Sequence, residues 1–433
     1  MRGFPRTRFN ALYFASMPPS LDATHPFDPA VLESPWEYYR QLRAEAPVYR
    51  DPHTGIFHVA SYERVLEVVK NHEVFSNRFA PAMGGQAVVD AAENAELADL
   101  AERAYPGVDT MLTADPPEHK RFRGLVNKAF TPRRVNLLEP GIEELANELI
   151  DGFAGRGEFE VLSEYAVLLP LTVIADQLGV PRTDLAQFKR WTDGFTAQLS
   201  GLADAEGRVE AAKRILEYQQ YFAARLAECR ESPRDDIISD LVRARLEDER
   251  PLDVPESLSI IQQLLVAGNE TTAASIAEGL LLLVQHPDQQ QRVREDPALL
   301  PNLVEEVLRL TTPTANMWRK VKQDTVLGGV EIPKDSMLLV RFASANRDES
   351  VFPDADRFDV TRANASEHLA FGHGIHFCIG AMLARKEMLV AFRTLLARLD
   401  GLRLAPGYDP PRHKPNVLLR GLGELHLAFE VAS

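Results

Sequence analysis

The sequence predicts a mainly α-helical protein with small β-sheet regions, and three observations carry that reading. Apolar residues recur at helical spacing through most of the chain, alternating strand patterns are confined to a few short runs, and the two do not alternate as a βαβ chain requires. The 433 residues, 45% hydrophobic and 26% charged, are enough for a large buried core and give no sign of bulk disorder. No repeat, low-complexity tract or linker divides the chain, so a single domain over residues 26–433 is expected, after a mobile leader at 1–25.

In chain order, the helical stretches are "PWEYYRQLRAEA", "SYERVLEVVKN", "IEELANELIDGFA", "AAKRILEYQQYFAARLAECRE" and "PNLVEEVLRLT". "PVYRDPHTGIFHVAS" reads as two strands around a turn at Thr54–Gly55, "TVLGGVEIPKDSMLLVRFASAN" as two more, and "ELHLAFEV" as another. The stretch from Phe79 to Val108 is rich in Gly and Ala with weak patterning and reads as a mobile surface segment.

The net charge of −15 argues against nucleic acid as a partner, and no apolar run reaches the roughly 18 residues of a membrane span. The first residues lack a signal-peptide core. Two cysteines, Cys229 and Cys378, make a disulfide framework improbable and suit a reducing, cytoplasmic compartment.

Residues 253–286 are expected to form one helix, with Asp253 and Pro255 at its start and Pro287 beyond its end. It is apolar on every side, the mark of a helix buried through the protein's centre. Gly268, Asn269, Glu270, Thr271 and Thr272 interrupt it. A buried carboxylate is costly unless paired or hydrated. Glycine gives up about 1 kcal/mol of helix propensity relative to alanine, and it opens room for a ligand against the backbone. Thr271 can bond back to the Ala267 carbonyl. Taken alone, the stretch supports two readings equally: a ligand-facing polar island, or a kink with a hydrated glutamate.

Cys378 lies in "FGHGIHFCIG", residues 371–380, just before the amphipathic stretch "IGAMLARKEMLVAFRTLLARL". A sulfur at a helix N-terminus meets unpaired N–H groups that favour thiolate over thiol. Gly372, Gly374 and Gly380 permit tight turns and the approach of a flat group. One protein sulfur on such a loop suits a thiolate-bound haem iron; the structural alternative is a buried free cysteine capping a helix. Zinc is a poor fit, because no CxxC or HxxxH spacing exists. A nucleophilic Cys378 with His373 or His376 as base lacks an oxyanion arrangement.

These residues resemble the cytochrome P-450 superfamily, specifically its soluble bacterial type, from about Asp28 to the C-terminus. "FGHGIHFCIG" is similar to the family's haem-ligand signature, "AGNETT" to its oxygen-activation motif, and "EEVLR" supplies the Glu306-x-x-Arg309 pair. "DPPEHKRFR", "ANRDESVFPDADRFDVTR" and "LARKE" follow in the family's order. The resemblance implies a triangular-prism helical fold with haem b between the central helix and the cysteine loop. It implies Cys378 as axial ligand, with Phe371 packed near the sulfur. His119, Arg123, Arg319 and His376 occupy propionate-binding positions, and His119 and Arg123 share one helix face. Glu306 and Arg309 form a buried structural network.

The implied activity is a monooxygenase, with Glu270 and Thr271 delivering protons through ordered water. No nucleotide-binding βαβ unit is present, so electrons come from a separate NAD(P)H-dependent reductase and a ferredoxin. Between His119 and Leu138, Lys120, Arg121, Arg123, Lys128, Arg133 and Arg134 face no acidic neighbour in sequence, and Arg385 and Lys386 join them on the same side in the family fold. An acidic ferredoxin docking there, steered by charge and weakened by salt, is expected. Family position makes Leu264, Ala267, Thr314, Asn316 and Met317 pocket residues, with Asn316 as a polar anchor for a terpenoid, steroid or aromatic substrate. The 79–108 segment and the region of "FTAQLSGLADAEG" become mobile entrance elements, and the protein is expected to be a monomer. Two rival functions are a peroxide-driven peroxygenase, which needs no proton relay, and a non-catalytic haem sensor, which needs neither relay nor basic face.

Overall fold

The computed structural model describes residues 20–79, 94–200, 204–245 and 250–432, without the side chains of Lys128 and residues 197–200. The expected central helix runs from Val254 to Gln285. Asp253 caps it by accepting from the Glu256 N–H, while Glu256 reaches back to the Asp253 N–H. This reciprocal cap contributes about 1 kcal/mol. At 1.5 Å per residue the helix is about 48 Å long, enough to traverse the molecule.

Both halves of this helix are apolar because each sits in a different cluster. Ile260, Ile261, Leu264 and Leu265 pack with Phe188, Trp191, Tyr218 and Phe222. Ile276, Leu280 and Leu283 pack with Val307, Val390, Phe392, Leu427 and Phe429. A Cβ at Gly279 would collide with Phe392, so glycine lets the central helix lie directly on the cysteine helix, Ala381–Arg398.

The other expected helices are present, some with different limits. Trp36–Glu45, Tyr62–Lys70, Ala205–Glu231 and Leu300–Thr311 match their stretches closely. The helix expected from Ile142 begins at Pro132, capped by Thr131, and carries Pro140 inside it. Its apolar period starts late because the first turns face outward, with Arg133, Asn136 and Leu137 exposed.

The β portion is larger than the patterning predicts. A five-stranded sheet has the order β1 (Val48–Arg50), β2 (Phe57–Val59), β8 (Met337–Val340), β5 (Met317–Val321), β3 (Phe75–Ser76). The turn between β1 and β2 closes where Gly55, at φ +72°, donates to the Asp51 carbonyl at 2.8 Å. The stretch read as two strands forms three: β6 (Thr325–Leu327), β7 (Val330–Ile332) and β8, followed by a short helix Phe342–Ala345. Two further strands, β4 (Glu158–Glu160) and β9 (Leu399–Leu404), flank the expected C-terminal strand β10, His426–Val431. Strands of two to five residues carry too few alternations to be legible alone, and the six residues of β9 do not alternate, only Leu399 and Leu402 being buried.

Three expected mobile regions need restating. Leu21, inside the stretch read as a leader, is buried beside Tyr38, Tyr39 and Leu42, while residues 1–19 lie outside the described ones. In the 79–108 stretch, residues 80–93 lie outside the description, but Ala95–Arg103 is a helix capped by Asn94. "FTAQLSGLADAEG" spans the join of Leu185–Ser200 and Ala205–Glu231, with residues 201–203 outside the description.

Glu306 and Arg309 are both fully buried and fully occupied. Arg309 donates to Glu306 at 2.7 and 2.9 Å and to the carbonyls of Asn346 and Ala355. Arg362 and the Asp359 N–H complete the Glu306 carboxylate at 3.0 and 3.1 Å. This cluster ties the helix Leu300–Thr311 to the loop leading toward Cys378, as the structural reading expects.

Candidate haem and oxygen site

The cysteine loop is built to hold its shape. Gly372 and Gly374 take φ of +67° and +73°, and a Cβ at Gly374 would stand 2.8 Å from the Val69 carbonyl oxygen, so a side chain there is excluded. The Cys378 N–H donates to the Phe371 carbonyl at 2.9 Å, placing the Phe371 ring beside the loop, with the Arg385 guanidinium 4.5 Å from its centre. The cysteine helix starts three residues past Cys378. The residue is half-buried by area while its sulfur is enclosed; burial pushes the thiol pKa up, opposed by the Gly380 and Ala381 N–H groups and the charges of Arg123 and Arg385. The other cysteine, Cys229, is wholly buried in an apolar cluster with no comparable neighbours.

Across from the loop, the central helix opens at its polar island. Ala267 is exposed in the middle of an otherwise buried helix, and a Cβ at Gly268 would meet nothing within 4 Å. Open space beside the island favours the ligand-facing reading over a simple kink, and the helix stays continuous. Thr271 donates to the Ala267 carbonyl at 2.8 Å as expected. Burial, with Asp193 adding to it, raises the Glu270 pKa, while Lys189 and Lys414 oppose.

The four expected propionate partners converge from three elements. His119 and Arg123 lie on the helix Glu118–Val126, Arg319 on β5, and His376 on the turn Gly374–His376. The rings of His119 and His376 are 4.4 Å apart. His376 Nδ1 meets the Met111 carbonyl at 3.2 Å, and Nε2 of both histidines is buried without a partner. Burial pulls the His376 pKa down to about 3, with Arg319 and His119 adding to the shift. Burial likewise pulls Arg319, 4% exposed, down to about 10, and its guanidinium has no ion pair among the described residues, donating only to the Trp318 carbonyl at 2.7 Å. Arg123 is half-buried and donates to Asn127 at 3.0 Å. Buried polar atoms without partners are rare in folded proteins. Here two of them stand beside the buried Arg319 and the half-buried Arg123, with His376 two residues from Cys378, and the two guanidinium charges fit the carboxylates of a flat dianion carrying a metal.

The basic face differs from its reading in sequence, where no acidic neighbour was visible. Arg121 pairs with the buried Glu256 at 2.8 Å, and Arg134 pairs with Asp240. Arg385 is held by Glu305 at 2.6 Å, and Lys386 by Glu139 at 2.6 Å. Lys120 and Arg133 are exposed and make no ion pair among the described residues. The neutralising carboxylates come from distant segments, which the local charge run does not reveal.

The pocket residues also divide. Ala267 is exposed, and Thr314 and Met317 are half-buried. Leu264 is 5% exposed within the apolar cluster of Phe188 and Trp191. Asn316 does not offer a free anchor: it is 1% exposed, accepts from Tyr39 at 3.2 Å and donates to the Val417 carbonyl at 2.6 Å. Sequence reasoning missed Met111, Lys414 and Asp115, which act through backbone or charge; only Asp115 lies in a recognised motif, "DPPEHKRFR".

A sequence model of the cytochrome P450 family matches residues 204–423. Cytochrome P450 107B1 of Saccharopolyspora erythraea is 42% identical over 316 residues, 73% of this chain and 76% of the relative. The chain belongs to the cytochrome P450 family. The solved structure of cytochrome P450 CYP109Q5 from Chondromyces apiculatus superposes with a TM-score of 0.81 at 38% identity, covering 94% of this chain and 98% of that one. CYP109E1 from Bacillus megaterium in complex with testosterone superposes at 0.79 with 31% identity, covering 91% and 99%. As a P450, the protein is a monooxygenase whose cofactor is haem, bound through a cysteine thiolate. Among its described residues, no helix is long and apolar enough to cross a membrane.

Proposed function

We propose that this P450 inserts one atom of O₂ into a hydrophobic small molecule of steroid-like or terpenoid character, with residues 26–433 as one catalytic domain and Cys378 as the haem ligand. The observation that carries this is the gathering, close to Cys378, of His119 and His376, whose Nε2 atoms are buried without a partner, with the buried Arg319, which has no ion pair among the described residues. Bound haem supplies oxygen activation by two electrons and two protons, one oxygen atom leaving as water.

The protein's own part is placement and proton supply. The Gly380 and Ala381 N–H groups and the Arg123 and Arg385 charges favour the Cys378 thiolate against its burial. His119, Arg123, Arg319 and His376 hold the two propionates, and Phe371 shields the sulfur from water. Thr271 donates its hydroxyl hydrogen bond to the Ala267 carbonyl, which leaves its oxygen free to accept one from a water. Glu270, with its raised pKa, holds a proton nearer neutral pH than an ordinary carboxyl and relays it along that water.

For the substrate, Ala267, Thr314 and Met317 offer an apolar wall with the Thr314 hydroxyl as the polar contact, since Asn316 is committed elsewhere. The relative bound to testosterone supports a rigid polycyclic ligand. For the electron donor, Lys120 and Arg133 remain for an acidic ferredoxin, and the cysteine loop and helix expose Phe377 and Met382, so docking rests partly on apolar contact with weaker salt dependence than the charge run suggests. Two thiols without a disulfide support a cytoplasmic setting.

The test is titration of the haem spectrum with testosterone and related compounds, then product analysis with NAD(P)H and a surrogate ferredoxin system against peroxide alone. A ligand-induced spin shift and product requiring NAD(P)H are expected. Efficient turnover with peroxide alone would favour the peroxygenase reading, and ligand binding without product a sensor.

A further inference from the structure

Behind His119 and Arg319 lies a carboxylate that the proposed function leaves without a role. Asp115 is 6% exposed. Its Oδ2 accepts from Ser76 Oγ at 2.6 Å and its Oδ1 from the Asn77 N–H at 3.0 Å. Lys322 Nζ stands 3.9 Å from Oδ2. The Asp115 carbonyl accepts the His119 N–H at 2.9 Å. One residue therefore joins the helix bearing His119 and Arg123 to β3, whose Ser76 sits opposite Lys320, the neighbour of Arg319 on β5.

Its charge reaches the same groups. Burial is the main force against the charged forms of Arg319 and His119, and Asp115 opposes it at both. For Arg319 it is the counter-charge that the described side chains supply, since that guanidinium has no ion pair of its own. A buried cation without a counter-charge costs several kcal/mol. The same fixed negative charge lies on the propionate side of the space, where added electron density on the iron would be resisted.

We propose that Asp115 is a positioning residue for the haem: it holds Arg319 and His119 in place for the propionates and, as a fixed negative charge behind them, lowers the reduction potential of the iron. The proposal rests on the haem assignment above. The test compares the purified haem-bound protein with Asp115→Asn, which keeps the shape and removes the charge, and Lys322→Gln, a half-exposed position whose loss leaves Asp115 less neutralised. Midpoint potential is read by spectroelectrochemistry, and haem loss by transfer to apomyoglobin. For Asp115→Asn we expect a positive shift, with the reduction equilibrium constant raised three- to tenfold (up to about 59 mV for one electron), and severalfold faster haem loss. For Lys322→Gln we expect a smaller negative shift. A folded Asp115→Asn protein with unchanged potential overturns the proposal; if that variant does not fold, the absence of a negative shift in Lys322→Gln does so. A wild-type protein without haem would refute the underlying assignment instead.

Discussion

Two buried polar clusters in this P450 use the same residue types to opposite ends. Around Glu306 and Arg309, each charged group is paired and bonded to backbone as well. Around His119, His376 and Arg319, two ring nitrogens are buried without a partner and a buried guanidinium has no ion pair among the described residues. Full satisfaction fixes the path of the chain; the groups left unpaired are those the proposed haem site offers its ligand. Polar burial alone does not mark a functional site.

The contrast breaks first at the saturated cluster. Glu306→Ala strands Arg309 and Arg362 and is expected to cost about 3–5 kcal/mol, read by denaturant unfolding; a loss below about 1 kcal/mol would remove the distinction. The next largest effect lies beside it. Glu305 is partly buried, which raises its pKa, yet Arg385 and His368 outweigh burial and hold it at about 2. A depressed carboxylate stabilises the fold above its ordinary value near 4.5 and loses that contribution as pH falls toward 2. Wild-type stability should therefore fall by on the order of 3 kcal/mol across that window, a loss that Glu305→Gln does not show. An equally steep acid limb in the variant would contradict the pairing.

The open cluster answers differently. Arg319→Leu replaces a buried cation that has no ion pair by apolar volume, so the haem-free chain should be no less stable. Haem should leave about tenfold faster, some 1.4 kcal/mol, as measured by transfer to apomyoglobin. Equal losses in both measurements would make Arg319 another structural arginine. The smallest change in stability is expected for Thr271→Ala, whose hydroxyl bonds only back along its own helix. That variant should keep haem and substrate binding while reducing equivalents go to peroxide, and unchanged coupling of electron use to product would remove Thr271 from the proton path.

Much of this was legible in the sequence, for physical reasons that also explain the rest. The central helix announced itself through its cap at Asp253, the proline beyond its end and an apolar surface on all sides. Cys378 stood out because glycines at Gly372 and Gly374 are needed for backbone that side chains would block. The short strands β3 and β4 are held by partners far along the chain and are too brief to alternate, while β9 buries only Leu399 and Leu402 and so shows no alternation. Long-range pairing also hid the fate of the charges. Arg121, Arg134 and Arg385 look free in a local run, yet Glu256, Asp240 and Glu305 neutralise them across more than 75 positions. Asn316 looked like a ligand anchor for the same reason, its partners Tyr39 and Val417 lying about 277 and 101 residues away.

The measurement that bears most directly on the whole account is the absorption of the reduced protein under carbon monoxide, in wild type and in Cys378→Ser. A strongly red-displaced band in the wild type that disappears in the variant is the predicted result. A wild-type adduct without that displacement, or one that survives loss of the Cys378 sulfur, would contradict the assignment of the thiolate on which the site is built.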